Sequence, residues 1–330
     1  MKELTYHRAT DATAAVALVS GDPDARFLGG GTNLVDHLKL GVTSPTTLVD
    51  VSRLPLDEVT ELPDGGLRVG ANVRNSDLAS HPAVRRGWPV VTRALLSGAS
   101  GQIRNQATTG GNLLQRTRCV YFQDVTTPCN KREPGTGCSA IGGYGRYNAI
   151  LGASGSCVTT HPSDLAVGLA AVDATVVVLG PDGERRVPIG DFHRLPGDRP
   201  EQDTTLAHGE LVTAVELPAS PVAARSTYRK ARDRASYAFA LVSVAAGVEL
   251  DGGRVRDVRI AWGGVAHKPW RAEVAEEALR GQYLGEDAVR QAAEAELEAA
   301  VTDEQTAYKV AMVRNLTALT LTSLAEGAAR

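Results

Sequence analysis

The sequence predicts a mixed α/β fold in two parts, and three patterns support this prediction. Short helical and strand-like segments alternate over the first 55 residues, with glycines where a strand gives way to a helix. Strand-like segments recur as far as Leu217, and the Pro- and Ala-rich segment 218–224 is typical of a domain boundary. Three strands and then three helices follow. We therefore expect two domains, over residues 1–218 and 222–330.

The individual elements follow from caps, turns and apolar runs. Asp11 is a suitable N-cap for an alanine-rich helix, and Pro63–Gly66 has the composition of a hairpin turn. Residues 97–160 are rich in Gly, Thr, Ser, Asn and Gln and predict a long functional loop region. The predicted helices are 12–19, 33–40, a short one near 77, 88–96, 163–171, 272–279, 286–300 and 303–324. The predicted strands are 25–28, 47–51, the hairpin 57–72, 175–179, 211–217, 226–230, 240–250 and 255–262.

Length and composition are those of an ordinary globular protein. The chain has 330 residues, 43% of them hydrophobic and 22% charged, and a formal net charge of −3. A nucleic-acid-binding protein usually carries a basic excess, and a membrane span needs about 18 consecutive apolar residues. We therefore expect neither a nucleic-acid partner nor a membrane span. The N-terminus has no apolar signal segment and no twin arginine, which predicts a cytoplasmic chain unless an exported partner subunit carries it.

Two glycine-rich segments are candidates for binding phosphate. The first is Gly29-Gly30-Gly31-Thr32-Asn33-Leu34, between a strand and a helix, where consecutive backbone N–H groups can face an anion. The second, residues 101–113, also combines glycines with Thr and Asn side chains. Neither matches a Walker loop or the dinucleotide fingerprint. A tight turn that needs glycine only for its backbone angles, and a loop capped by its own side chains, are the alternatives.

The four cysteines all fall within 39 residues; they are Cys119, Cys129, Cys138 and Cys157. The gaps of nine, eight and eighteen residues contain no C-x-x-C pair of the kind that structural zinc sites use. In a chain without an export signal, this clustering favours a metal centre over two disulfides. Basic residues nearby would stabilise a negatively charged cluster; they are Arg116, Arg118, Lys131 and Arg132. Spacing alone leaves an Fe–S cluster, a zinc site and free thiols open.

A series of short motifs runs along the chain in a fixed order. These motifs are Gly29–Leu34, Leu48–Leu54, Gln102–Asn105, Ala107–Thr108, Gly110–Leu113, His161–Asp164, Tyr228–Tyr237, Phe239–Ala245, Gly263–Ala266 with Pro269 and Arg271, and Ala307–Val310. Taken in order, they resemble the FAD-binding subunit of the xanthine dehydrogenase, aldehyde oxidoreductase and carbon monoxide dehydrogenase family of molybdenum hydroxylases. The resemblance covers essentially the whole chain.

The resemblance implies a particular fold and cofactor site. The fold would be a PCMH-type FAD-binding domain (vanillyl-alcohol-oxidase-like), with a small lobe over about residues 1–55 and a larger lobe over about 56–218. An α+β C-terminal domain like that of the CO dehydrogenase flavoprotein would follow. The loop Gly29–Leu34 would hold the FAD pyrophosphate, and the residues beside the flavin and its phosphates would be Thr108, Gly111 and Asn112. Asp164 would hydrogen-bond ribityl or ribose hydroxyls.

Lys230 would approach the isoalloxazine, where a cation favours the anionic reduced flavin. Without the resemblance, Asp164 is simply a residue at a helix N-terminus and Lys230 a solvated strand residue.

The resemblance also selects a branch, similar to periplasmic aldehyde oxidoreductase, in which a cysteine-bearing insertion follows Gly-Gly-Asn-Leu and holds a [4Fe–4S] cluster. The corresponding loop here would be 113–160, with all four cysteines as ligands.

The implied function is electron transfer, without a catalytic side chain in this subunit. A large partner subunit would hydroxylate the substrate at its molybdenum cofactor, and a small subunit with two [2Fe–2S] clusters would pass the electrons to FAD here and then to an external acceptor. The assembly would be a heterotrimer or a dimer of heterotrimers.

Two other functions stay open. A stand-alone flavin reductase of the UDP-N-acetylenolpyruvoylglucosamine reductase type shares this fold and a Gly-Gly-Gly-Ser-Asn loop, and the cysteines could instead build a zinc-stabilised interaction module.

Overall fold

The computed structural model describes residues 3–326, which form a mixed α/β structure with three sheets. The strands are β1 Thr5–Arg8, β2 Ala25–Leu28, β3 Thr47–Asp50, β4 Val59–Glu61, β5 Leu67–Gly70, β6 Thr175–Gly180, β7 Gly183–Pro188, β8 Leu211–Leu217, β9 Ser226–Ala231, β10 Val242–Asp251, β11 Arg254–Gly263 and β12 Trp270–Arg271. The helices are α1 Ala12–Ser20, α2 Leu34–Leu40, α3 Asn75–Ser80, α4 Pro82–Gly87, α5 Pro89–Ser97, α6 Gly101–Gln106, α7 Thr109–Leu113, α8 Val120–Gln123, α9 Asp164–Ala170, α10 Ile189–Phe192, α11 Pro221–Ala224, α12 Glu273–Leu279, α13 Glu286–Leu297 and α14 Tyr308–Glu326.

The first sheet is parallel, with β3 between β1 and β2. Asp11 caps α1 as predicted, because its Oδ1 accepts a hydrogen bond from the backbone N–H of Ala14 at 2.8 Å. Strand β1 was not predicted from the sequence. All four of its residues are exposed, so it carries no alternation of apolar and polar side chains for a pattern to reveal.

The second sheet is antiparallel, in the order β4-β5-β8-β6-β7. The predicted hairpin corresponds to β4 and β5. Strand β8 lies at the centre and is almost fully buried, and the main hydrophobic core lies between this sheet and helices α5 and α9. Strand β7 was also missed by the sequence analysis, because five of its six residues are exposed and three of them are charged.

The C-terminal sheet is antiparallel, in the order β12-β11-β10-β9, and is covered by α12, α13 and α14. Strand β10 is buried on both faces. Val242, Val244 and Val248 face the three C-terminal helices, whereas Ala245 belongs to the core of the preceding domain. This explains the continuous apolar run in its sequence. The division at residues 218–222 stays a prediction, and the hydrophobic contact across β10 means that the two parts share a packed boundary.

The residues before α14 differ from the predicted helix 303–324. The helix begins at Tyr308, and a capped turn precedes it, in which Asp303 Oδ1 accepts hydrogen bonds from the backbone N–H groups of Gln305 and Thr306, both at 2.9 Å.

No helix within residues 3–326 combines the length and apolar composition that a membrane crossing requires.

The start of α14 fastens the loop region 113–160 to the C-terminal domain. Gln305 accepts a hydrogen bond from the Gly145 N–H at 2.8 Å and donates one to the Gly143 carbonyl at 2.9 Å. Tyr308 donates its hydroxyl to the Arg146 carbonyl at 2.8 Å. Lys309, which is 1% exposed, donates its ammonium group to the carbonyls of Asn148 and Gly264, each at 2.7 Å.

Lys309→Met is expected to destabilise the protein by about 1–3 kcal/mol at pH 7, because two carbonyls lose a donor. Burial and, to a smaller extent, the Arg146 charge together lower the pKa of Lys309 from its ordinary 10.5 to about 7. Between these two pH values the folded chain binds fewer protons than the unfolded chain, so the wild type gains stability as pH rises, by up to about 1.4 kcal/mol per unit. Urea unfolding at pH 7, 8 and 9 measures both effects. Parallel pH profiles for wild type and variant would contradict this titration.

Candidate cofactor site

The first glycine loop forms an open cradle of backbone N–H groups. It connects β2 to α2, and Gly31 takes a φ of +74°, which favours glycine. Within the described chain, the backbone N–H groups of residues 29–33 donate to no backbone oxygen, and Asn33, the residue before α2, makes no capping hydrogen bond with its side chain. Free N–H groups at a strand-to-helix junction are the donors that a phosphate group binds.

The second glycine segment packs directly against this cradle. A Cβ atom added to Gly30 would lie 2.3 Å from the carbonyl oxygen of Gln106, and one added to Gly29 would lie 3.3 Å from Thr108 Oγ1. The Gln106 side chain donates a hydrogen bond to the Gly30 carbonyl at 3.1 Å. The two loops therefore approach backbone to backbone, and glycine at position 30 is required by this approach.

The second loop is held by its own polar side chains. Thr108 caps α7 by accepting a hydrogen bond from the Gly111 N–H at 3.2 Å. Asn112 accepts hydrogen bonds from Ser163 at 2.6 Å and Gln115 at 2.8 Å. Asn33 of the first loop accepts one from the Arg116 backbone N–H at 2.9 Å. The structure thus brings together the predicted residues of both loops, and free N–H groups beside close-packed glycines fit a dinucleotide phosphate.

Asp164 and Lys230 are paired with each other. Lys230 Nζ lies 2.7 Å from Asp164 Oδ2, with side chains 4% and 9% exposed, and the Tyr228 hydroxyl donates to the other carboxylate oxygen. Lys230 also donates to the Ser97 carbonyl at 3.3 Å. Burial raises the pKa of Tyr228 well above its ordinary value, and the Asp164 charge adds to this. Ser163, the residue before Asp164, donates to Asn112, so the Asp164–Lys230 pair lies next to the second loop. The charged atoms of both side chains already have protein partners.

Lys230→Met is expected to lower the free energy of unfolding by about 3–5 kcal/mol, because it leaves a buried carboxylate without its counter-ion. The double variant Asp164→Asn with Lys230→Met is expected to recover part of this loss, since it removes both charges. Urea unfolding followed by tryptophan fluorescence measures the three proteins. Equal stability of the single variant and the wild type would show that the pair does not stabilise the fold.

The four cysteines line one cavity, although the first and the last are 38 positions apart in the chain. Thr117, Phe122 and Lys131 are also in its wall. All four thiols are free. A hydrogen bond from Cys157 lowers the pKa of Cys138 to about 6, while the same bond and burial raise the pKa of Cys157. Burial also raises the pKa of Cys119.

The four thiols do not form a preformed metal site in this structure. Among residues 3–326, no group of three or more His, Cys, Asp or Glu side chains is placed to hold one metal ion. A tetrahedral zinc site would need all four sulfur atoms about 2.3 Å from one centre. Neither a zinc ion nor a [4Fe–4S] cluster therefore has a preformed ligand set among the described residues.

A buried ion network lies between the cysteine cavity and the glycine loop. Lys131, which is 2% exposed, donates to Asp203 at 2.5 Å and to the Pro200 carbonyl at 2.6 Å. Arg116 donates to the other oxygen of Asp203 at 2.7 Å. Burial by itself raises the pKa of Asp203, but the two cations lower it well below its ordinary value. Asp203 was not singled out from the sequence, because it lies more than 40 residues beyond the last cysteine in a segment without a motif.

Two family models match the chain. The FAD binding domain in molybdopterin dehydrogenase matches residues 2–220, and the CO dehydrogenase flavoprotein C-terminal domain matches residues 199–324. Together with the two packed glycine loops, the first match defines an FAD-binding flavoprotein. The chain belongs to the FAD-binding subunits of the molybdenum hydroxylases, the family that includes aldehyde oxidoreductase, xanthine dehydrogenase and CO dehydrogenase.

Individual relatives agree with this assignment. The chain is 52% identical over 280 residues to the aldehyde oxidoreductase FAD-binding subunit PaoB of Escherichia coli, covering 84% of this chain and 86% of the relative. It is 29% identical to the glyceraldehyde dehydrogenase medium chain of Sulfolobus acidocaldarius, covering 87% and 85%. Among solved structures, carbon monoxide dehydrogenase from Hydrogenophaga pseudoflava matches with a TM-score of 0.76 at 27% identity, covering 98% of this chain and 97% of that one.

The comparisons confirm the predicted fold class, with an FAD-binding domain followed by the CO dehydrogenase flavoprotein C-terminal domain. They confirm an oxidoreductase subunit and FAD as its cofactor. The assignment of individual side chains to FAD stays a prediction. So does the assignment of the four cysteines to an iron–sulfur cluster.

Proposed function

We propose that this chain is the electron-transfer subunit of an aldehyde-oxidising molybdenum hydroxylase, with FAD and a [4Fe–4S] cluster as its cofactors. It would receive electrons from the [2Fe–2S] clusters of a small partner subunit and deliver them to an external acceptor, while a large partner subunit holds the molybdenum cofactor. The relative at 52% identity, which is named an aldehyde oxidoreductase subunit, supports the substrate class. The grouping of four distant cysteines around one cavity is the observation that carries the second cofactor.

The glycine loops would bind FAD by its phosphates. The free N–H groups of residues 29–33 would donate to the pyrophosphate, with the side chains of Thr32 and Asn33 beside them. Thr108, Gly111 and Asn112 would line the opposite wall. When bound, FAD supplies the capacity to accept electrons one or two at a time. Asp164 and Lys230 would lie beside the flavin as an ion pair with no net charge. The pair would therefore form part of the cleft wall and would add little net charge to the flavin site.

The cysteine cavity is the candidate site of the cluster. A [4Fe–4S] cluster is held by four cysteine thiolates, which is the number that line this cavity. Cys119, Cys129, Cys138 and Cys157 would be the ligands, and Lys131 would offset their negative charge. With such a cluster, the chain would belong to the branch of the family with a cysteine-bearing insertion. The match to a flavoprotein family disfavours the zinc-stabilised module, and the C-terminal domain match disfavours the stand-alone flavin reductase.

Anaerobic purification of the native chain with its partners tests the proposal. We expect one FAD and about four non-haem irons per chain, a yellow-brown colour with broad absorption about 400 nm, and co-purifying subunits that contain molybdenum and further iron. Aldehyde should reduce the flavin in the complex but not in the isolated chain. A colourless protein, or one with a single zinc per chain, would overturn the assignment of cofactors. Fractionation of cells into cytoplasm and periplasm would show where the complex is located.

A further inference from the structure

Four basic side chains lie near the cysteines in sequence, and three of them donate hydrogen bonds to acceptors of the protein. Arg116 and Lys131 both bind Asp203, and Arg132 donates to backbone carbonyls of the cysteine loop, including that of Tyr121 at 2.9 Å. Arg118 differs. Within residues 3–326 it makes no hydrogen bond or ion pair by its side chain, and its Nε atom is buried without an acceptor.

Arg118 is not among the residues that line the cysteine cavity. Its guanidinium carbon lies 5.1 Å from the centre of the Phe239 ring. Burial lowers the pKa of Arg118, which the charges of Asp36 and Tyr237 partly offset. After burial itself, the charges of Arg116 and Arg118 lower the pKa of His37 to about 4. Two residues before Arg118, the Arg116 backbone N–H donates to Asn33 Oδ1 at 2.9 Å, so Arg118 belongs to the segment that contacts the glycine loop.

A half-buried guanidinium without an acceptor fits an anion. Removing a cation from water costs free energy unless an opposite charge or hydrogen-bond acceptors replace the water. The Asp36 charge offsets part of this cost, but no carboxylate within residues 3–326 forms an ion pair with Arg118. The cation expected to serve FAD, Lys230, is already neutralised by Asp164. Arg118 is thus a cation near the glycine loop without a protein counter-charge in the described chain.

We propose that Arg118 binds the diphosphate of FAD, supplying the positive charge that the glycine loop itself lacks. The proposal rests on the proposed FAD site. A guanidinium can donate two parallel hydrogen bonds to phosphate oxygens, and the Phe239 ring would hold its plane in position. A guanidinium could also bind the negatively charged reduced flavin ring. The experiment below distinguishes binding of the diphosphate from binding of the flavin ring.

The test is Arg118→Gln in the full chain, in the assembly in which it purifies. After removal of flavin, FAD affinity is measured by fluorescence quenching, and iron is measured in parallel. We expect FAD affinity to fall about 10- to 100-fold with iron unchanged, and Arg118→Lys to recover part of the loss. If the lost contact is to the diphosphate, the midpoint potential of bound flavin and the affinity for riboflavin should stay at wild-type values. A lower potential would assign the contact to the flavin ring instead.

Arg256→Gln, a change of a surface arginine with a 71% exposed side chain, is the matched control. Because Arg118 makes no side-chain hydrogen bond, the variant is expected to keep the wild-type unfolding midpoint. FAD affinity within twofold of wild type would overturn the proposal, and so would a fall in iron content, which would assign Arg118 to the cysteine site. Wild-type protein without FAD would instead refute the proposed function.

Discussion

Gly30→Leu is expected to abolish FAD binding. The Cβ atom of any side chain at this position would lie 2.3 Å from the Gln106 carbonyl oxygen and 3.2 Å from the Gln106 carbonyl carbon. Both are backbone atoms, so the clash is relieved only if the two loops separate. The separation would move the N–H groups of residues 29–33 away from the second loop, and the pyrophosphate would lose one side of its site. We expect FAD occupancy to fall below a tenth of the wild-type value, measured by flavin extraction.

The matched control is Gly190→Leu, because a Cβ atom there meets nothing within 4 Å. This variant should retain wild-type flavin. Iron content should be unchanged in both proteins, since Gly30 is not in the wall of the cysteine cavity. Full FAD occupancy in Gly30→Leu would show that the close contact of the two loops is not part of the cofactor site.

Cys129→Ser is expected to abolish iron binding while FAD remains. Cys129 is 6% exposed, and its backbone pairs with that of Cys138 in an isolated bridge, so two proposed ligands come from facing segments. A serine hydroxyl has about the same size but is a poor ligand for iron in a cluster that thiolates hold. Iron analysis and the absorption about 400 nm measure the loss, and extracted flavin provides the internal reference.

Ser139→Ala is the control for this experiment. Ser139 lies in the wall of the same cavity and donates to the Pro128 carbonyl at 2.9 Å, so the variant disturbs the wall without removing a thiol. It should keep its iron. Wild-type iron content in Cys129→Ser would count against cluster ligation, and loss of iron in both variants would mean that the loop as a whole had been damaged.

The sequence was informative where chemistry depends on short segments. Glycines at a strand-to-helix junction indicated an anion-binding turn, and the structure adds that the turn packs on the second glycine segment. The clustering of cysteines along the chain indicated a common site, and the structure places all four around one cavity. Both inferences used residue types whose special geometry or chemistry limits what they can do.

Ion pairs between residues far apart in the chain could not be predicted from the sequence. The ion pair of Lys230 with Asp164 joins residues 66 positions apart, and Asp203 meets Lys131 across 72 positions. Spacing carries no information about such contacts, because they depend on how the sheets pack. Strands β1 and β7 were missed for a related reason. Their side chains are mostly exposed, and backbone pairing in the sheet, which leaves no trace in hydrophobic periodicity, determines their conformation.

The hydrogen bonds from Gln305, Tyr308 and Lys309 to the loop region limit how this loop can be engineered. A segment of the FAD-binding domain relies on donors and acceptors that the far end of the chain supplies. Transplanting residues 113–160 alone into a relative without cysteines would leave one flank of the graft without partners. A transferable unit would have to include the turn before α14 as well.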